Sequence, residues 1–95
     1  MTHKLYRNIL LEEAATAVGE REKSYGTPEE SFDKTARLWT AYLRHEFTEQ
    51  DVGIMMMLLK ISRMQKYEMH KDNYKDIAGY AAITYEIEQK AEDVG

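Results

Sequence analysis

The chain has 95 residues, 13 Lys and Arg against 17 Asp and Glu, a net charge of −4 and no cysteine. A chain of 11.1 kDa with 43 % hydrophobic residues can bury one modest core, so residues 1–95 read as a single domain. These values exclude a disulfide framework, a thiolate nucleophile and thiolate zinc sites, and the acidic balance argues against binding duplex nucleic acid.

No apolar run approaches the roughly 20 residues of a membrane span, and the first residues lack the apolar core of a secretion signal. One proline and five glycines leave long stretches without a breaker. The expected fold is all-α, a compact bundle of about four helices with frayed ends near 1–4 and 92–95.

The first helix is predicted from Leu5 to about Arg21. Leu10, Ala14, Ala17 and Val18 repeat at helical spacing, with Leu11 and Ala15 beside them. Ser24-Tyr25-Gly26-Thr27-Pro28 breaks the pattern. Thr27 as N-cap, Pro28 at the first helical position and Glu30 at the third form a capping box. The second helix follows to about His45, with Phe32, Ala36, Trp39 and Leu43 as its apolar stripe and Leu38 and Tyr42 at its side.

Thr48 with Asp51 repeats the cap and opens a third helix to about Tyr67. Its stretch Val52 to Ile61 is apolar nearly all round, which places it at the centre of a bundle or against a partner chain. Self-association through the Met55–Leu59 helix is expected from that excess. The fourth helix is predicted from about Asp72 to Ala91, with Ile77, Ala78, Ala81 and Tyr85 as its stripe and Ile83 and Ile87 at its flanks. Gly79 costs about 1 kcal/mol there relative to alanine, and it marks a close approach of another helix or a ligand.

Two groups of residues have the chemistry of an anion site. Arg21, Lys23, Tyr25 and Gly26 precede the capped helix start, where backbone N–H groups attract phosphate and a tyrosine ring offers a stacking surface. An ordinary inter-helix turn explains the same residues. Lys60 and Arg63 share a face of the third helix, while Asp72, Asp76 and Tyr80 form a stripe of the fourth. Antiparallel packing brings these stripes together, as a phosphate or nucleotide clamp or as an internal ion-pair network.

Enzymatic constellations are sparse. His3, His45 and His70 share no metal-ligand spacing, and no two Glu-x-x-Glu pairs fall on adjacent helices. Ser24, Ser31 and Ser62 have no nucleophile-elbow context. No metal, cofactor or catalytic residue is therefore expected. Seven tyrosines exceed the needs of so small a core, so some of Tyr25, Tyr42, Tyr67 and Tyr74 should be exposed.

Over residues 8–88 the pattern resembles a small phage and prophage family of uncharacterised function. The residues that carry the resemblance are Arg21-x-x-x-Tyr25-Gly26, Ser31-Phe32, Leu38-Trp39-x-Ala-Tyr-Leu43, Asp51-Val52, Met56-x-Leu58-Leu59-Lys60-x-x-Arg63 and His70-x-Asp72-x-Tyr74-x-Asp76-x-x-Gly79-Tyr80. More loosely, the chain is similar to phage nucleotide-modification-associated domains and, at greater distance, to all-α pyrophosphohydrolases, whose paired glutamates it lacks.

The resemblance implies a nucleotide-related role in the cytoplasm of an infected or lysogenic bacterial host. A cation-aromatic pocket without a catalytic set suits a sponge that sequesters a nucleotide immune signal, a cyclic dinucleotide or an ADP-ribose derivative. The alternatives are a magnesium-dependent nucleotide pyrophosphohydrolase or nucleotide-modification accessory, and a protein-interaction module. The last of these predicts an exposed apolar patch.

Overall fold

A computed structural model describes residues 5–64 and 70–94. It contains α1 (Tyr6–Tyr25), α2 (Pro28–Leu43), α3 (Glu49–Ser62) and α4 (His70–Val94), with no strand among the described residues. The all-α reading holds.

Local chemistry sets most of the boundaries. α1 runs a full turn past the expected end at Arg21, because nothing in Glu22-Lys23-Ser24-Tyr25 breaks a helix. It stops at Gly26, whose φ of 82° favours glycine and whose N–H donates to the Glu22 carbonyl at 3.1 Å. Thr27 Oγ1 accepts from the Glu30 N–H at 3.2 Å and so starts α2 at Pro28. Only that half of the expected box forms there, whereas the Thr48–Asp51 box closes in both directions, at 2.9 and 3.1 Å.

α2 ends at Leu43, short of His45, because Arg44 takes a left-handed conformation (φ 53°). The chain then folds back, with the Phe47 N–H donating to Thr40 Oγ1 at 2.9 Å and the Phe47 ring set edge-on to Trp39. α3 is shorter than expected. It ends at Ser62, with Arg63 and Met64 bonding back to Lys60 and Ile61, and Tyr67 lies outside the described residues. α4 begins at His70 rather than Asp72 and continues beyond Ala91 to Val94.

α3 and α4 pair along their length, α1 lies on α4, and α2 lies on α3. The core is Phe32, Ala36, Val52 and Ile87, extended by half-buried Trp39, Phe47, Met56, Tyr80 and Ile83. The apolar stripes need correction in three places. Leu38, Tyr42 and Leu43 are exposed on α2, because α2 packs chiefly on α3 and only its Phe32–Ala36 side faces the core. On α4 the buried positions are Asn73, Gly79, Thr84 and Ile87, while Ala81 and Tyr85 face solvent. The α4 stripe is thus rotated from the one that hydropathy picks out. α3 is not enclosed: Ile54, Met55, Leu58, Leu59 and Ile61 are exposed.

The tightest helix contact is at Gly53, not Gly79. A Cβ on Gly53 would collide with the Thr84 side chain, whereas one on Gly79 would meet only Val18 Cγ2, at 3.4 Å. Buried Asn73 donates from Nδ2 to the Arg63 carbonyl at 3.2 Å and so caps the C-terminus of α3 from α4.

One charged tie joins the start of α2 to the far end of α4, where Lys90 Nζ lies 2.9 Å from Glu29 Oε1. That hydrogen bond holds the Glu29 carboxyl below the ordinary glutamate range. A lowered acid pKa contributes stability at pH values above the unfolded pKa, and the contribution is lost as pH falls through the folded value. Glu49 works in the opposite sense, pushed up by burial and then by Asp33 and Glu29, with Arg37 partly offsetting them. Between pH 7 and pH 3 the wild type is expected to lose more stability than Glu29→Gln, as read by urea unfolding at each pH. Equal losses would mean that the tie is fully screened by solvent.

Candidate functional site

The four helices line an open cavity of about 670 Å3. Its walls come from the second half of α1, the first half of α2, Val52 and Met56 of α3, and the middle of α4. α1 and α2 therefore sit on the same side of the α3–α4 pair, with the cavity between them.

Five of the nine expected site residues line this cavity: Arg21, Tyr25 and Gly26 from the end of α1, and Asp76 and Tyr80 from α4. The two groups thus meet in one place. The contact is direct, since Arg21 Nη1 donates to the Tyr80 hydroxyl at 3.3 Å. That bond, with the nearby charge of Asp76, raises the guanidinium pKa further above its already high ordinary value. Arg21 is a permanent cation here.

The other four lie elsewhere. Lys23 points to solvent and pairs with Glu20 at 3.5 Å. Arg63 is exposed and sits in the turn after α3, so it does not share a helical face with Lys60. Asp72 is exposed and pairs with Lys75 at 3.7 Å. Lys60 stands behind the cavity wall, turned inward to Asp76 at 3.0 Å. The stripe Asp72, Asp76 and Tyr80 therefore serves three separate partners, one for each turn of α4.

The start of α2 also differs from the expectation of an anion held by free backbone N–H groups. Glu29 and Glu30 already place carboxylates on that first turn, and Thr27 takes the Glu30 N–H. The cations of the cavity are instead Arg21 and Lys75. Lys75 was not among the expected residues, because i,i+4 pairing assigned its stretch to Asp72 and Asp76. Phe32, a core residue by its spacing, also lines the cavity and lies 6.1 Å from the Tyr80 ring. Its dual role has no signal in spacing alone.

Tyr25, Tyr42 and Tyr74 are exposed as expected, and Tyr67 falls outside the described residues. Among the described residues no group of three or more His, Asp or Glu side chains converges to hold a metal ion. No described helix is long and apolar enough to cross a membrane.

Residues 8–88, from within α1 to within α4, match the family described as a domain of unknown function (DUF6378). The chain belongs to the DUF6378 family. The matched span includes every residue of the cavity wall named above. The chain is 42 % identical over 79 residues to the Gene 55 protein of Mycobacterium phage D29, covering 82 % of this chain and 52 % of that protein. It is 47 % identical over 66 residues to the Gene 55 protein of Mycobacterium phage L5, covering 68 % of this chain and 42 % of that one. This DUF6378 chain thus spans about half the length of the curated relatives it matches. The likeness to a small phage family is established by these matches. No solved structure matches the chain.

Proposed function

We propose that the chain binds a small nucleotide-type ligand in the cavity between α1 and α2 and holds it without chemistry. The observation that carries this reading is the meeting of Arg21, Tyr25 and Gly26 with Asp76 and Tyr80 around about 670 Å3, a volume typical of small-molecule sites. Arg21 and Lys75 supply charge for phosphate, Tyr25 and Phe32 supply ring faces for a base, and Asp76 supplies an acceptor for a ribose hydroxyl or a base N–H.

Within a phage-type protein such a site suits a sponge for a nucleotide immune signal, a cyclic dinucleotide or an ADP-ribose derivative, acting in the host cytoplasm.

The test is a thermal-shift screen of the purified chain against cyclic di- and trinucleotides, ADP-ribose derivatives and common nucleotides, with and without Mg2+. A ligand at a hundred times its Kd stabilises the folded state by about 2.7 kcal/mol. The ligand is expected back intact. Recovery of a converted ligand would favour the magnesium-dependent pyrophosphohydrolase reading instead. Loss of one charge-assisted bond in Arg21→Ala is expected to weaken binding by about 1.5–3 kcal/mol, roughly 10- to 150-fold. Unchanged affinity in both Arg21→Ala and Tyr25→Ala would remove the cavity as the site.

A second reading, a protein-interaction module, is supported by the apolar residues that α3 leaves exposed.

A further inference from the structure

Among the described residues, no helix covers the side of the α3–α4 pair opposite the cavity. α2 rests on the Val52 side of α3, and α1 rests on the Gly79 side of α4, where Gly79 meets Val18. Both line one cavity, so both occupy one side of the pair.

What remains is a broad two-helix face. Ile54, Met55, Leu58 and Ile61 recur along α3, with Leu58 57 % exposed. Antiparallel to them along α4 run Tyr74, Ala81 and Tyr85, the tyrosines 51 % and 65 % exposed. The only cation between Gly53 and Ser62, Lys60, is turned away toward Asp76. The α3 half of the face therefore carries no charge over nearly three turns.

We infer that this face pairs with the same face of a second copy of the chain, back to back, and that the resulting four-helix layer leaves one cavity open on each outer side. Three observations commit the face to that occupant.

The first is area. The chain exposes 7605 Å2, against about 5,700 Å2 for a compact monomer of its mass. The chain as a whole thus leaves more surface open than a rounded fold would, enough to accommodate the roughly 800 Å2 that each partner gives to a standard interface. The radius of gyration is likewise 15.0 Å, against about 12 Å for a rounded domain of this length.

The second is symmetry. An antiparallel helix pair can meet its own copy about a two-fold axis, which sets the large side chains of α3 against the small Ala81 of the other copy's α4. The third is composition. Two tyrosines at the ends of an uncharged centre give the apolar middle and polar rim of a protein interface. Docking on this side does not depend on what the cavity binds.

Sedimentation equilibrium of the full chain is expected to give twice 11.1 kDa at micromolar concentration. Leu58→Glu and Ala81→Glu each place a charge at the face and are expected to weaken association by about a hundredfold or more. Leu38→Glu, on the exposed side of α2, is expected to leave it unchanged. Circular dichroism is expected to show full helix content in all three, because each position faces solvent in the single chain.

Because the chain has no cysteine, Ala81→Cys offers a readout independent of folding losses. Mild oxidation is expected to link two copies through that position, and not through Lys34→Cys. A wild type of 11.1 kDa at 100 µM would overturn the proposal, as would a dimer unaffected by both charged face variants. Either result would assign the face to a different protein or to a longer chain.

Discussion

Gly53→Ala is expected to destabilise the chain by about 1–3 kcal/mol, lowering its melting temperature by roughly 4–20 °C. Two effects compete at this position. Alanine is the better helix former by about 1 kcal/mol, so an unconstrained site would gain stability. Gly53 is constrained. It is buried against α4, and a new methyl group would overlap Thr84 Oγ1 and lie 3.0 Å from Thr84 Cβ and 3.2 Å from its Cγ2.

Thr84 cannot turn aside without cost. It is itself buried, and its hydroxyl donates to the Tyr80 carbonyl at 2.6 Å. The Cβ contact survives any rotation of the threonine, so α3 and α4 must separate. Separation acts on the most extensive helix pairing in the fold, and overpacking outweighs propensity. Gly19→Ala is the control, because Gly19 is exposed in α1 with nothing within 4 Å of its added methyl. It is expected to gain up to about 1 kcal/mol. Partial recovery in Gly53→Ala combined with Thr84→Ala, followed by urea unfolding, would fix the cause as this contact. Equal stability of Gly53→Ala and wild type would show that the helices can shift freely.

Asp76→Leu is expected to cost about 2 kcal/mol, more than Lys60→Met. Lys60 keeps only 17 % of its side chain exposed and Asp76 34 %, so their 3.0 Å pair is shielded enough to exceed a surface ion pair. Losing Asp76 strands the ammonium of Lys60 in that enclosure. Losing Lys60 is milder, because Asp76 still feels the guanidinium charge of Arg21. The double substitution should recover part of the Asp76→Leu loss, since it leaves no charge unpaired. A double-mutant cycle in urea measures that coupling, and additive losses would show that the two groups act separately. Asp76→Leu also removes a carboxylate whose charge acts on Arg21, so a ligand that uses Arg21 is expected to change affinity along with stability. Lys60→Met is expected to leave that affinity nearly unchanged.

The helices were legible where punctuation was chemical. Thr27-Pro28 and Thr48-x-x-Asp51 place two N-termini to the residue, because a cap is satisfied within four residues of chain. The end of α1 was less legible. Arg21 to Tyr25 is neutral toward helix, and only the positive φ at Gly26 decides the stop. The buried stripe of α4 was misread because hydropathy counts Ala81 and Tyr85 as apolar and Asn73 and Thr84 as polar. In the fold, Asn73 is buried by capping a neighbouring helix, and Thr84 by satisfying its hydroxyl on its own backbone.

The candidate site follows the same division. Arg21, Tyr25, Asp76 and Tyr80 carry their chemistry visibly, so the sequence offers them. Lys75 and Phe32 join them only through the packing of helices about fifty residues apart, which no local spacing reports. Lys23 and Asp72 were carried along as neighbours of the right residues. The register of an amphipathic helix then turned them outward.

The unequal attachment of the helices orders their opening. α3 and α4 are consecutive and pair along their length, whereas α1 reaches its support on α4 across contacts such as Arg21 to Tyr80, 59 residues apart in sequence. α1 and α2 each rest chiefly on one neighbour. Closing that long loop is the entropically expensive step, whereas α2–α3 and α3–α4 join consecutive helices, so α1 is expected to dock last and let go first. The amide protons of α1 are then expected to exchange with solvent through partial openings that leave α3 and α4 paired. The wall that α1 supplies is thus the least firmly held part of the open cavity, so its mouth can widen by lifting one helix without unfolding the molecule.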